Sequence, residues 1–278
     1  MTTAHANRAT APVGVFDSGL GGLSVLREIR ALLPGEDLLY VADAAHVPYG
    51  NRTPDAIRAR AQAVSGFLLE QGAKAVVVAC NTATAVAVTA LRERWRVPII
   101  GMEPAIKPAA GLTRNGTVGV LATEGTLASA RFAALLEQYA GDLHVVTQPC
   151  PGLVAAVESG ELHGDRARAL LARYLQPLQA AGADVIILGC THYPFLTPAI
   201  RQRVGADVAI VDTGAAVARE VRRRLQLHGL LAPAERCGSS RFWSTGDLAA
   251  GEPVLARLWG EAAPLRPLQS AREGGLSA

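Results

Sequence analysis

Residues 72–84 read GAKAVVVACNTAT, and residues 182–194 read GADVIILGCTHYP. Starting at 72 and 182, the two stretches superimpose without a gap at an offset of 110. Each runs from a Gly-Ala turn through four aliphatic residues and one small residue to a cysteine. A short, wholly aliphatic run bounded by turn residues reads as a strand buried on both faces, as in a parallel sheet. Cys80 and Cys190 therefore hold equivalent places, each at the end of such a strand. Asn81-Thr82 follow the first, Thr191-His192 the second.

The repetition spreads outward from this pair. VGVFDSG at 13–19 corresponds to VGVLATE at 118–124, and 40–42 to 145–147, both at an offset of 105. Residues 98–101 correspond to 208–211 at an offset of 110. Strands alternate with helical spacings. Leu23, Leu26, Ile29 and Leu33 make one helix stripe that Pro34-Gly35 stops, and Thr53-Pro54 is a cap and first-turn pair for the next helix. A short strand near 241–244 and a helix near 252–259 follow at the end. This alternation predicts an α/β protein. Two pseudo-twofold-related lobes are expected, each a mostly parallel sheet flanked by helices, with the active site in the cleft between them. Lobe 1 is expected to comprise residues 12–104 plus 215–264, and lobe 2 residues 105–214. Residues 1–11 and 265–278 are expected to be flexible tails. Ligands of open α/β sheets bind beyond the C-terminal strand ends. Asp17, Ser18, Asp43, Tyr49, Cys80, Thr123, Cys190, Thr191 and His192 all fall there.

Composition narrows the function. Half of the 278 residues are apolar and 18% are charged, which is globular. A net charge of +3 gives no reason to expect nucleic acid or a membrane surface as partner. Arg92, Arg94, Arg96 and Arg222-Arg223-Arg224 read as solvated helix faces. No apolar run is long enough to span a bilayer, and MTTAHANRATAP has no signal-like apolar core, so a reducing cytoplasm is expected. Four cysteines without a CxxC spacing make neither a disulfide framework nor a zinc site, and no metal is expected. The turn GLGG at 19–22 is not spaced as GxGxxG, so a dinucleotide is not expected either.

Each cysteine alone reads as a small buried apolar residue. Together they suggest more. Both sulfurs are expected at helix N-termini, where the dipole lowers a thiol's pKa. Two thiols on opposite walls of one cleft suit proton transfer at two faces of one carbon, since one group removes a proton while the other returns one. Pyridoxal phosphate, the common alternative, needs a lysine. The chain has only Lys74, at the start of a strand away from the cleft, and Lys107, on a connection. No cofactor is expected.

With these residues in view, the chain resembles the glutamate racemases of the cofactor-independent aspartate/glutamate racemase superfamily. The match runs over about 13–247 through GVFDSGLGGLSVL (14–26), VADAAHVPYGNR (41–52), ACNTATA (79–85), GCTHYPFL (189–196), VDTG (211–214) and STGD (244–247). The resemblance implies conversion of L-glutamate to D-glutamate for peptidoglycan, without cofactor, by Cys80 and Cys190 as the two acid/base residues. It implies Asp17 as the carboxylate assisting Cys80, His192 as the imidazole assisting Cys190, and Glu158 as an acidic residue near the second thiol. It further implies Asp17, Ser18, Tyr49, Gly50, Asn81, Thr82, Thr191 and His192 as substrate contacts, Cys80 serving D-glutamate and Cys190 L-glutamate, and a homodimer. The alternatives are a racemase or isomerase of aspartate or a related diacid, and a non-catalytic two-lobed binding protein.

Overall fold

The computed structural model describes residues 8–268. The expectation of flexible ends at 1–7 and 269–278 lies outside the described residues. Ten strands are described: β1 (Val13–Asp17), β2 (Leu38–Ala42), β3 (Ala75–Val78), β4 (Ile99–Ile100), β5 (Thr117–Ala122), β6 (His144–Pro149), β7 (Val185–Leu188), β8 (Ala209–Val211), β9 (Ser240–Ser244) and β10 (Leu265–Pro267). They form two sheets, one in the order β10-β9-β2-β1-β3-β4 and one in the order β6-β5-β7-β8. Every pairing is parallel. The central strands β1 and β3, and β7 in the second sheet, are buried at every residue because helices cover both faces.

Local chemistry sets the helices. Thr53 accepts a hydrogen bond from the Ala56 N–H at 3.3 Å and starts the helix Pro54–Glu70. Asp247 caps Leu248–Trp259 in the same way, through Ala249 and Ala250. The helix Gly214–Leu227 packs on Leu23–Leu32. The largest apolar cluster runs through both lobes, joining Val15, Leu26 and Tyr40 to Leu121, Leu153 and Leu188. The lobes therefore share a core as well as a cleft.

Two expectations about the chain ends change. Residues 265–267, read as part of a frayed tail, form β10, which pairs with β9 at the sheet edge. Residues 8–11, read as part of the N-terminal tail, are held from the sheet side, where the Ala9 carbonyl accepts from Lys74 Nζ at 2.5 Å. Lys74 is itself buried against Glu36, 2.5 Å away. Neither tie has a local sequence signal.

Candidate active site

β1 and β3 are hydrogen-bonded neighbours, so Asp17-Ser18 and Cys80 emerge side by side from the first sheet. β7 delivers Cys190-Thr191-His192 from the second sheet. Cys80 and Cys190 line one pocket together with Ser18, Tyr49, Asn81 and Thr191. Gly50, Thr82 and His192 complete that wall. Its enclosed volume is about 10 Å³, room for about one water, so the cleft must open to admit an amino acid.

Around Cys80 the groups are buried. Its sulfur accepts from the Ala83 N–H at 3.5 Å and lies 3.9 Å from Ser18 Oγ. Asp17, fully buried, accepts from the Gly22 N–H at 2.8 Å and from Ser18 Oγ at 3.3 Å. Burial pushes the Asp17 carboxyl above its usual range; His192's charge opposes this and Glu158's adds to it. Burial, and then the Asp17 charge, also push the Cys80 thiol well up.

The expectation of a dipole-lowered thiol is thus overturned at Cys80. Cys80 does cap the helix Asn81–Arg94, but desolvation outweighs the dipole. At Cys190 the helix itself is missing. A 3-10 turn, Tyr193–Leu196, follows, and the α-helix begins only at Thr197. Pro194 and Pro198 have no N–H to donate, so two hydrogen bonds of a helix from Thr191 are missing within its first turns, and a 3-10 turn forms instead.

Cys190 has a different partner. Its sulfur lies 3.6 Å from His192 Nδ1, and His192 Nε2 lies 2.6 Å from Glu158 Oε1. Burial works against a charged His192. The hydrogen bonds and charges of Cys190 and Glu158 outweigh it and push the imidazole well above its ordinary value. The His192 ring, held toward its protonated form, thus faces the Cys190 sulfur. Glu158 Oε1 also accepts the Leu20 N–H of the opposite lobe at 2.6 Å. Thr191 Oγ1 reaches Asp17 Oδ2 at 3.4 Å, and Ser24 Oγ donates to the Thr191 carbonyl at 2.8 Å. These bonds draw the cleft shut.

All the residues expected in the site lie at this cavity or in hydrogen-bond contact with its walls. Tyr49 lines it, but its hydroxyl is engaged by Asp43 Oδ2 at 2.6 Å. Asn81 is buried with both amide atoms unpartnered, as a group awaiting a polar ligand would be. Thr123 and Thr126 line the cavity and hydrogen-bond Thr82 at 3.0 and 3.2 Å; neither was expected as a contact. Thr123 had a signal in the repeat, since it stands at the equivalent of Ser18; Thr126 had none. Cys150 is buried, its thiol pushed up to about 12 by burial, and Cys237 is exposed. Lys74 and Lys107 are both engaged elsewhere, with Glu36 and over the Tyr139 ring. Among the described residues no group of three His, Cys, Asp or Glu is disposed to hold a metal ion. No described helix is long and apolar enough to cross a membrane.

Two parallel α/β lobes closing on a pair of thiols, each with its own charged neighbour, define a class. The chain belongs to the Asp/Glu/hydantoin racemase family, whose model matches residues 13–221, and is an isomerase on that ground. Within the family it stands with the glutamate racemases. It is 60% identical to the glutamate racemase of Pseudomonas paraeruginosa over 252 residues, 90% of this chain and 95% of that one. Among solved structures it resembles Escherichia coli glutamate racemase in complex with L-glutamate and the activator UDP-MurNAc-ala (34% identity, TM-score 0.82, covering 93% and 98% of the two chains). It also resembles the Francisella tularensis enzyme in complex with D-glutamate (29% identity, TM-score 0.81, covering 95% and 99%).

Proposed function

We propose that this chain interconverts L- and D-glutamate by proton transfer between Cα and two thiols, Cys80 and Cys190, without a cofactor. The observation that carries the reading is the shared cavity, which takes one thiol from each sheet. The step balances without a co-reactant. One thiolate takes the Cα proton, the C–H electron pair passes to the carboxylate-stabilised carbanion, and the opposite thiol protonates the other face. The enzyme ends with its two sulfurs in exchanged protonation states and resets through its neighbours, Asp17 beside Cys80 and His192-Glu158 beside Cys190. Burial holds Cys80 toward its thiol form, and the Cys190 sulfur has the His192 ring 3.6 Å away as its partner. Asn81, Thr82, Ser18, Thr191 and the Tyr49-Gly50 backbone offer hydrogen bonds for two carboxylates and an ammonium.

The relatives that carry L- and D-glutamate support glutamate over aspartate as substrate. Supply of D-glutamate to peptidoglycan, a cytoplasmic location that keeps both thiols reduced, and a homodimer belong to the same proposal; sedimentation of the purified chain tests the last. The central test is deuterium exchange at Cα in D₂O. Wild-type protein is expected to exchange both enantiomers without added cofactor. Cys80→Ala and Cys190→Ala should each abolish racemisation. Cys80→Ala is expected to retain exchange of L-glutamate alone, and Cys190→Ala of D-glutamate alone. Racemisation near the wild-type rate in either variant would falsify the two-thiol mechanism.

A further inference from the structure

Beyond the cavity, one buried carboxylate is surrounded more fully than any residue in it. Asp43, at the end of β2, has no exposed surface and does not line the site. Its Oδ1 accepts from Arg60 Nη2 at 2.8 Å and Thr245 Oγ1 at 2.9 Å, with His46 Nδ1 at 3.0 Å. Its Oδ2 accepts from Tyr49 OH at 2.6 Å and Arg60 Nε at 3.0 Å. That is about the full capacity of a carboxylate. Burial works against its charge, but the Arg60 and Tyr49 hydrogen bonds outweigh this and hold the carboxyl below the usual range.

The donors come from two kinds of segment. Arg60, in the helix Pro54–Glu70, and Thr245, in STGD after β9, belong to the scaffold. His46 and Tyr49 belong to the connection at 44–51, which has only two 3-10 turns and no sheet ladder to place it. The far side of this connection is also confined, since a Cβ on Gly50 would lie 2.9 Å from Thr123 Cβ. The Tyr49-Gly50 wall thus sits between a carboxylate behind it and Thr123 of the other lobe in front.

We propose that Asp43 is a positioning residue that fixes the Tyr49-Gly50 wall for the bound amino acid, with Arg60 and Thr245 as its scaffold anchors. The proposal rests on the reading of the cavity as the glutamate site. A wall displaced by an ångström loses substrate alignment, while Cys80, Cys190, Asp17, His192 and Glu158 stay where their own strands and helices put them. The defect therefore falls on KM more than on kcat. The test is steady-state kinetics with both enantiomers, alongside thermal melts, for four variants. Asp43→Asn should raise KM for L- and D-glutamate by about tenfold or more, with a smaller change in kcat. Tyr49→Phe removes one hydrogen bond to Asp43, and Thr245→Val removes two, the one to Asp43 and the one accepted from the Ala45 N–H; each should raise KM about three- to tenfold. Lys74→Met breaks a different buried ion pair, at the other end of the same lobe, and should lower the melting temperature with KM within about twofold of wild type. Unchanged KM in Asp43→Asn, Tyr49→Phe and Thr245→Val overturns the proposal. So does a Lys74→Met protein whose KM rises as far as theirs, which would make the effect general loosening. If Asp43→Asn does not fold, the Tyr49→Phe and Thr245→Val pair decides. A wild-type chain that fails to racemise glutamate overturns the glutamate reading itself, and this proposal with it.

Discussion

Glu158→Gln isolates a charge at a place where shape barely changes. Glu158 Oε1 accepts from His192 Nε2 and from the Leu20 N–H, both at 2.6 Å. A glutamine oxygen can accept from both, so the cross-lobe bond survives and only the negative charge is lost. A hydrogen bond to a charged group contributes about 1.5–3 kcal/mol, a neutral one about 0.5–1.5 kcal/mol. The imidazolium of His192 therefore loses on the order of 1–1.5 kcal/mol relative to its neutral form, or roughly a five- to twelvefold smaller protonated fraction wherever it titrates. On the alkaline side of the His192 titration, where the imidazolium is the minor form, kcat/KM falls by about the same factor if that imidazolium serves Cys190. Since the two enantiomers have equal free energy in water, the fall is the same in both directions. The pH profile gives the sign. Loss of a neighbouring anion lets His192 release its proton more readily, so the alkaline limb moves toward lower pH. Polarimetry of each enantiomer from pH 6 to 10 measures both effects. Wild-type kcat/KM with an unmoved limb, or a limb moved upward, would refute the role given to the Glu158–His192 pair.

Three further outcomes follow from the same geometry. Asp17→Asn should lose activity yet melt at a higher temperature at neutral pH. The raised Asp17 carboxyl means that its ionisation costs the folded state, and the variant's advantage should grow as pH rises from about 4, the unfolded value. His192 carries its raised value with the opposite benefit. The stabilisation from its proton is fully present below about pH 6.5 and is lost as pH rises through the native value, a slope that calorimetry should find flattened in Glu158→Gln. Gly21→Ala would put a Cβ 2.2 Å from His192 Nδ1, so the ring must move; activity should drop by about a hundredfold with little change in far-ultraviolet circular dichroism.

The architecture was legible because its signal repeats. Aliphatic runs at a constant offset, each ending in a chemically distinctive residue, mark both sheets and both cleft walls. His192 was visible at a strand end, but Glu158 rests on resemblance alone in the sequence, since 34 residues separate groups that the fold brings to 2.6 Å. Periodicity also misjudged electrostatics. It placed Cys80 correctly at a helix start but said nothing of how deeply the helix start is buried, and burial decides the thiol's character. Asp43 was visible as a strand-end acid, yet nothing local announces that Thr245, 202 residues later, will meet it. β10 was missed for a similar reason, since LRP has no alternation and is a strand only because β9 offers an edge.

The return of the chain to its first sheet has a consequence for how the protein is born. The second sheet is built wholly from residues 117–211, so it is complete while synthesis is still under way. The first is not, because β2 pairs β9 through Leu38↔Ser240. At 5–20 residues per second, the apolar edge LLYVA waits on the order of ten to forty seconds for its neighbour. Emergence from the ribosome thus inverts the order of the sequence, the later lobe maturing first and the earlier one closing last. Limited proteolysis of nascent chains arrested before β9 would see lobe 2 protected and lobe 1 cut. During that wait the unpaired edge of β2 is the segment most exposed to mispairing, and a chaperone that binds extended apolar chain would find its client there.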